Sequence, residues 1–349
     1  MSYEYERIVT PAAGLRLHLN ENTAGGSPKV IEALQAMTRE QAAYYPDYDA
    51  ALAAVARRLG VEVERIALTN GLDEGILAAS VALLRGGRDS PDEAIVVVPA
   101  FDMYAACADA AGGCVVEVPL DRDFAFPLAA IERAIGPRTR LIFLTSPNNP
   151  TGLVIPRDRI VDVARAAPQA LVLVDEAYAD FAGETLLNDR DARTLPNLVI
   201  GRTFAKAYGL AGLRAGALIG HPATLSNVRK VIPPYSLNVC ATVALIAGLN
   251  DEAYFEWYLG QVRESKSMLY EALDRLRIRY WPSAANFVLA DFESDARRVV
   301  DGLTARQIFV RDKSHDPACP GCLRITTGVV AHTERLITAL EEVLCGAAS

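Results

Sequence analysis

The 349-residue sequence predicts an α/β protein, with a mainly parallel central sheet in a large domain and a smaller α+β domain beside it. Three observations predict it. From about Ile66 to Ile219, short β-branched runs alternate with helical segments, the rhythm of strand–helix–strand crossovers. Those runs are apolar almost without interruption, which suits strands covered on both faces. After Pro233-Pro234 the texture changes to long helices followed by short strands.

The elements follow in order. Residues 1–28 hold no complete unit and are expected to pack against the carboxy-terminal part. Leu52, Val55 and Leu59 then form an amphipathic stripe that stops at Gly60. Strands are predicted over Ile66–Thr69, Ala94–Val98, Cys114–Val118, Leu141–Leu144, Leu171–Val174, Leu198–Ile200 and Gly216–Ile219. Helices are predicted between them over Gly75–Leu84, Leu128–Ile135 and Asp158–Ala166. The large domain is thus expected at 29–232. The smaller one, 233–349, is expected to hold helices Val239–Leu249 and Glu252–Leu276 and strands Phe287–Ala290, Ile308–Val310 and Leu323–Thr326. No repeat or low-complexity tract interrupts this order.

Composition removes several classes of function. A 51% hydrophobic chain of this length buries one large core and a second, smaller one. Its longest apolar stretches, such as Val239–Leu249, fall short of the roughly 18 residues that a membrane span requires. The start, Met1 to Arg7, is acidic and aromatic where a signal peptide is basic and then apolar, so the chain is expected in the cytoplasm. A net charge of −8 argues against nucleic acid as a partner. Six scattered cysteines do not make a disulfide scaffold.

Parallel α/β sheets place their ligands at the carboxyl ends of the strands, and polar clusters stand at several such ends. Asn70-Gly71-Leu72-Asp73-Glu74 opens a helix, where backbone N–H groups and the helix dipole suit a phosphate; a plain helix cap explains it equally well. Ser146-Pro147-Asn148-Asn149-Pro150-Thr151-Gly152 is a turn that aims an amide side chain or is simply tight. Asp175-Glu176-Ala177-Tyr178 sets a carboxylate next to a phenol at a strand end. The run Arg202 to Arg214 places Lys206, Thr203 and Arg214 around a glycine-rich bend. An unprotonated lysine attacks a carbonyl to form a Schiff base, while a hydroxyl and a planar guanidinium suit a phosphate dianion. Pyridoxal phosphate carries both an aldehyde and a phosphate. Arg324, inside the apolar Leu323-Arg324-Ile325-Thr326, calls for an anionic partner, either a ligand or a structural carboxylate; the same choice stands open for Arg311.

Together and in order, these motifs resemble the fold type I pyridoxal-phosphate enzymes of the class I/II aminotransferases, and within them the histidinol-phosphate aminotransferase branch. Leu19-Asn20-Glu21-Asn22, Tyr45-Pro46-Asp47, Ala285-Asn286-Phe287, Val310-Arg311-Asp312 and Gly321-Cys322-Leu323-Arg324-Ile325-Thr326 extend the resemblance over nearly the whole chain. It implies transfer of an amino group from a donor such as glutamate to a keto or aldehyde acceptor, with small molecules as the only substrates. It implies that Lys206 holds the cofactor and shuttles a proton, and that Asp175 pairs with the ring nitrogen. Asn149 and Tyr178 would bond the ring's phenolic oxygen, and Phe101 would stack on its face. Gly71, Leu72, Asp73, Thr203 and Arg214 would hold the phosphate, with Tyr45 arriving from the second subunit of a homodimer with shared active sites. Arg324, Arg311 and Asn22 would meet the substrate, with Asn286 as a weaker candidate.

The chain departs from that family's pattern at three points. Ala205 stands where a hydroxyl usually precedes the lysine, and Thr23-Ala24-Gly25-Gly26 replaces a proline, tyrosine and glycine. The tyrosine that some relatives set against the substrate phosphate has only Tyr3 and Tyr5 as candidates. Related activities on the same fold are transfer from aromatic or other amino acids and decarboxylation of a threonine-phosphate type; a ligand sensor would lack the basic helix-turn-helix it needs. Cys319-Pro320-Gly321-Cys322 has no second ligand pair, and His18, His221, His315 and His332 lack ligand spacing, so no metal is expected. Gly209, Gly212 and Gly216 follow the lysine motif instead of opening a first crossover, so they do not form a dinucleotide loop.

Overall fold

The structure is a computed structural model that describes residues 11–87 and 89–346. Among these residues the strands are, in chain order, β1 (Leu15–Leu17), β2 (Ile66–Asn70), β3 (Glu93–Val98), β4 (Cys114–Pro119), β5 (Thr139–Thr145), β6 (Leu171–Asp175), β7 (Leu198–Thr203), β8 (Ala215–Gly220), β9 (Arg279–Trp281), β10 (Phe287–Asp291), β11 (Ile308–Asp312) and β12 (Cys322–Thr326). They form a seven-stranded sheet in the order β2-β8-β7-β6-β5-β3-β4 and a five-stranded sheet in the order β1-β11-β12-β10-β9.

The large sheet is parallel from β4 through β7, and β8 runs antiparallel to both β7 and β2. The reversal has a local cause. Residues 204–214 join β7 to β8 through only a short 3₁₀ turn, Ala211–Leu213, and a parallel return needs a crossover of a dozen residues or more, usually with a helix. The chain therefore turns back directly, and the lysine sits in the turn. All residues of β6, β7 and β8 are buried, as the uninterrupted apolar runs predict. One face packs on a cluster holding Ile142, Val174, Phe204 and Leu245, the other on a cluster holding Ile76, Tyr104, Phe143 and Leu173.

The five-stranded sheet packs its core of Leu269, Val288, Val299, Ile325 and Leu336 under helices Glu252–Arg275, Ala296–Ala305 and Val330–Cys345. Its two edge strands carry no signal in the sequence. β1 and β9 have three residues each, too few to show a period, and β1 is recruited in parallel by β11 from the far end of the chain. The helix expected from Gly75 spans Leu72–Leu83, because Gly71 rather than an apolar residue begins it. Among the described residues no helix is long and apolar enough to cross a membrane.

Candidate active site

The carboxyl ends of β2, β5, β6 and β7 lie on one side of the sheet, and a cleft of about 270 Å³ opens there between the two sheets. Its size fits a small molecule. Lys206, Asp175, Tyr178, Leu72, Asp73, Phe101, Asn149, Thr203, Arg214, Arg311 and Arg324 all line it, so residues scattered across most of the chain converge.

Asp175 ends β6 and is 5% exposed. Its Oδ2 accepts a 2.6 Å hydrogen bond from the Tyr104 hydroxyl and its Oδ1 a 2.8 Å bond from the Ala177 amide. Tyr104 in turn accepts from Thr145 Oγ1 at 2.9 Å, which commits its own proton to the carboxylate. Burial nevertheless pushes the Asp175 carboxyl up to about 6, with these two bonds and Lys206 pulling the other way. A buried acid so placed favours a cation beside it. Sequence reasoning missed Tyr104 and Thr145; Tyr104 lies three residues after Phe101, one helical turn away, which was the available signal.

Lys206 reaches back over the β7–β8 turn to donate to the Leu19 carbonyl at 3.1 Å, with its Nζ 5.9 Å from the centre of the Tyr178 ring. Tyr178 is held edge-on to Phe287, and its hydroxyl accepts from Asn20 Nδ2 at 3.0 Å. Asn20 is a third residue to which the sequence alone assigns no role. It is 1% exposed, has φ +54°, and ties the β1 segment to Tyr178, Thr326 and Asn286.

The other end of the cleft is built for a small anion. Helix Leu72–Leu83 begins at Gly71 without a side-chain cap, so its first amides face the cleft with the positive end of the helix dipole behind them. Two positions here call for glycine, Gly71 by its left-handed backbone and Gly216 by close backbone approach. A Cβ on Gly71, whose φ is +76°, would stand 2.5 Å from Arg214 Nη2, and one on Gly216 would stand 2.7 Å from the Leu72 nitrogen. Arg214 pairs with Asp73 at 2.7 Å. Beside Ala205, Thr203 Oγ1 accepts from the Ala205 amide at 3.2 Å, which leaves the Thr203 O–H to donate elsewhere.

At the opposite end Arg324 is 8% exposed, donates to Asn149 Oδ1 and, at 2.7 Å, to the His18 carbonyl, and has no carboxylate partner among the described residues. The structural ion pair left open by the sequence is therefore not what holds it. Burial pulls its guanidinium down to about 10, the mark of a charge set in low dielectric. Arg311 stands opposite Arg324 in the β11–β12 register. Lys313, also missed, is 7% exposed and lines the same wall; it follows Arg311 by two residues, the strand period that brings side chains to one face. The cleft thus carries five basic side chains, Lys206, Arg214, Arg311, Lys313 and Arg324, against three acidic ones, Asp73, Asp102 and Asp175, in a chain whose net charge is −8.

Two expected contacts are not assembled within the chain. Asn22 does not line the cleft: its Nδ2 donates to the Ala207 carbonyl at 3.1 Å and its Oδ1 accepts from the Ala24 amide at 2.9 Å, so it fastens the lysine loop. Tyr45 also lies off its own cleft, 77% exposed and stacked at 4.3 Å on Tyr235. Tyr3 and Tyr5 fall outside the described residues. Asn286 is buried and donates to the Asn20 carbonyl at 3.2 Å. No cluster of metal ligands occurs among the described residues.

This donor set fits pyridoxal 5'-phosphate group by group. The Lys206 amine would suit the aldehyde, a buried carboxyl the ring nitrogen, amide and phenol side chains the ring oxygen, and a glycine-lined cradle with an arginine the phosphate.

Known proteins agree with the geometry. The sequence model of the family described as aminotransferase class I and II matches residues 13–341. A histidinol-phosphate aminotransferase of Moorella thermoacetica is 35% identical over 95% of this chain and 85% of its own. The crystal structure of histidinol-phosphate aminotransferase from Sinorhizobium meliloti in complex with pyridoxal-5'-phosphate superposes with a TM-score of 0.87 at 28% identity, covering 96% of this chain and 92% of that one. A Thermus thermophilus aspartate aminotransferase mutant superposes with a TM-score of 0.81 at 25% identity, covering 95% and 96%.

Proposed function

The chain belongs to the class I and II aminotransferases, and from that premise we propose that it transfers an amino group between glutamate and a phosphorylated keto or aldehyde acceptor, with L-histidinol phosphate as the amine it forms or consumes. The observation that carries the chemistry is the meeting of Lys206, Asp175 and the Gly71–Arg214 cradle in one cleft. The names of the relatives and the cationic wall at Arg324 support the substrate.

Pyridoxal 5'-phosphate, when bound, supplies a ring that accepts the electron pair left on the substrate α-carbon. Asp175 holds a proton on the ring nitrogen, and Tyr104 and the Ala177 amide keep that carboxyl ionised against its burial. Lys206 Nζ takes the proton from the α-carbon and returns it, and the Leu19 carbonyl keeps the amine aimed into the cleft. Asn149 and Tyr178 orient the ring oxygen; Phe101 covers a face of the ring. The amides of Leu72 and Asp73, the Thr203 hydroxyl and Arg214 bind the phosphate. Arg324, with Arg311 beside it, binds the anionic group of the substrate.

The chain is read as a large unit over 29–232 and a small one over 233–349 carrying residues 1–28, with the cleft between their sheets. It works as a homodimer in which Tyr45 reaches the phosphate of the second subunit; the exposed Tyr45–Tyr235 stack supports this. Scattered cysteines support a cytoplasmic setting.

The test is a half-reaction. Cofactor-loaded protein mixed with L-histidinol phosphate should lose the absorption band of the lysine-bound cofactor and release the keto product. Bleaching by L-phenylalanine or L-aspartate but not by L-histidinol phosphate would replace the substrate, and carbon dioxide release from a phosphorylated amino acid with the band retained would replace the reaction.

A further inference from the structure

We propose that Lys313 is a specificity-determining residue that contacts a phosphomonoester on the substrate alongside Arg311 and Arg324. This deepens the function proposed above and rests on it for the class of amine.

Lys313 directly follows β11. Its amide donates to the Cys322 carbonyl at 3.0 Å, so it continues the ladder that sets Arg311 opposite Arg324. The side chain is only 9% exposed, yet it lines the cleft. A buried ammonium is costly unless its charge is met. The carboxylate it pairs with, Asp316, stands 3.9 Å away, beyond hydrogen-bonding length, and the other oxygen of that carboxylate accepts from the Ala318 amide at 3.0 Å. Lys313 is thus incompletely compensated within its own turn.

Charge matching turns this into a statement about substrate. Elsewhere in the cleft Arg214 is matched by Asp73, and the charge of Lys206 acts on Asp175. Arg324 has no carboxylate partner among the described residues and spends two of its donors on Asn149 and the His18 carbonyl, and Arg311 stands opposite it, so two guanidinia already suffice for a carboxylate. A phosphomonoester carries about −1.5 to −2 at pH 7 on three strong acceptor oxygens, so a third cation on this wall strengthens its binding where a carboxylate leaves it unused. Lys313 supplies it as a flexible point charge, which reads charge and not the planar shape that arginine reads.

The test uses the holoenzyme and three variants, Lys313→Met, Lys313→Arg and Asp316→Asn, with L-histidinol phosphate, L-histidinol and L-phenylalanine as amines and inorganic phosphate as a binding probe followed by thermal shift. Lys313→Met should raise KM for L-histidinol phosphate and weaken inorganic phosphate by about 10-fold or more, the size expected of a hydrogen bond between charged groups. It should leave kcat and the KM for L-histidinol near the wild-type values. Lys313→Arg should largely restore the phosphorylated amine. Asp316→Asn should behave as wild type. The wild-type KM for L-histidinol phosphate should fall as pH rises through the second phosphate ionisation near 6, and Lys313→Met should flatten that dependence. Equal losses on L-histidinol phosphate and L-histidinol, or the same losses in Asp316→Asn, would assign Lys313 to the turn alone and overturn the proposal. If the wild type ignores L-histidinol phosphate, the proposed function fails while the phosphate-binding arm still decides Lys313: weakened binding in Lys313→Met sustains it, and unchanged or absent phosphate binding ends it.

Discussion

Tyr104 donates a 2.6 Å hydrogen bond to Asp175 from the first turn of helix Met103–Ala110, beneath the residue expected to cover the cofactor ring. The phenol is fully enclosed, and burial together with the Asp175 charge pushes its own ionisation well up, so it remains a donor at any working pH. The pair links the segment that carries Phe101 to the acid at the end of β6.

Tyr104→Phe keeps the ring stacked on Phe143 and removes only the hydroxyl. The Asp175 carboxyl should then rise further, and cofactor affinity at pH 7.5 should weaken by about 10-fold or more, the size of a lost bond to a charged group. Spectrophotometric cofactor titration between pH 6 and 8.5 measures it; an unchanged dissociation constant would reduce the pair to packing.

Asp175 should destabilise the cofactor-free protein above its own ionisation. Its carboxyl moves from an ordinary 3.8 to about 6 on folding, so the native state binds the proton more tightly than the unfolded chain does. The contribution is harmless below about pH 4, and the cost accumulates as pH rises through 6, reaching about 3 kcal/mol at most. Asp175→Asn should therefore be more stable than wild type at pH 8 and no more stable at pH 4 in denaturant melts of apoprotein, while losing transamination.

Arg324 makes two divergent bonds, to the Asn149 side chain and the His18 carbonyl, which a single ammonium cannot reproduce. Arg324→Lys should consequently resemble Arg324→Gln, with KM for the anionic amine up by about 10–100-fold. Steady-state kinetics on both variants would refute this if lysine rescued most of the loss.

Gly216→Ala forces a methyl into the backbone of Gly71 and Leu72, at 2.6 and 2.7 Å. Separation of β8 from the start of helix Leu72–Leu83 should cost about 1–3 kcal/mol and open the phosphate cradle. Urea melts should show the loss, and titration should show weaker binding of pyridoxal 5'-phosphate than of pyridoxal relative to wild type.

Under the proposed homodimer, Tyr45→Phe and Lys206→Ala would place their defects in different subunits of a shared site. Mixed and re-equilibrated, hybrid dimers should contain one intact site and one doubly defective site. Recovery of wild-type cofactor affinity in half of the hybrid sites, read by titration of purified heterodimer, supports exchange of Tyr45; absence of recovery confines it to its own chain.

Much of this was legible along the sequence. Continuous apolar runs give β5, β6 and β7 because strands buried on both faces need no polar alternation, and the polar clusters that end them mark the cleft because a parallel sheet opens its crevice at those ends. The composition and order of Arg202–Arg214 likewise announce an amine beside an anion cradle. Other features depend on distance, not on residue type. The recruitment of β1 by β11, the bond between Tyr104 and Asp175, and the diversion of Asn22 to the Ala207 carbonyl join positions up to about 300 residues apart, and no local period encodes them. The sequence by itself determined which chemical groups are present and at which strand ends they sit. Tertiary structure alone decided which of them face one another, because charge, burial and hydrogen bonding fall off within a few ångströms and exist only once the two sheets have closed on the cleft.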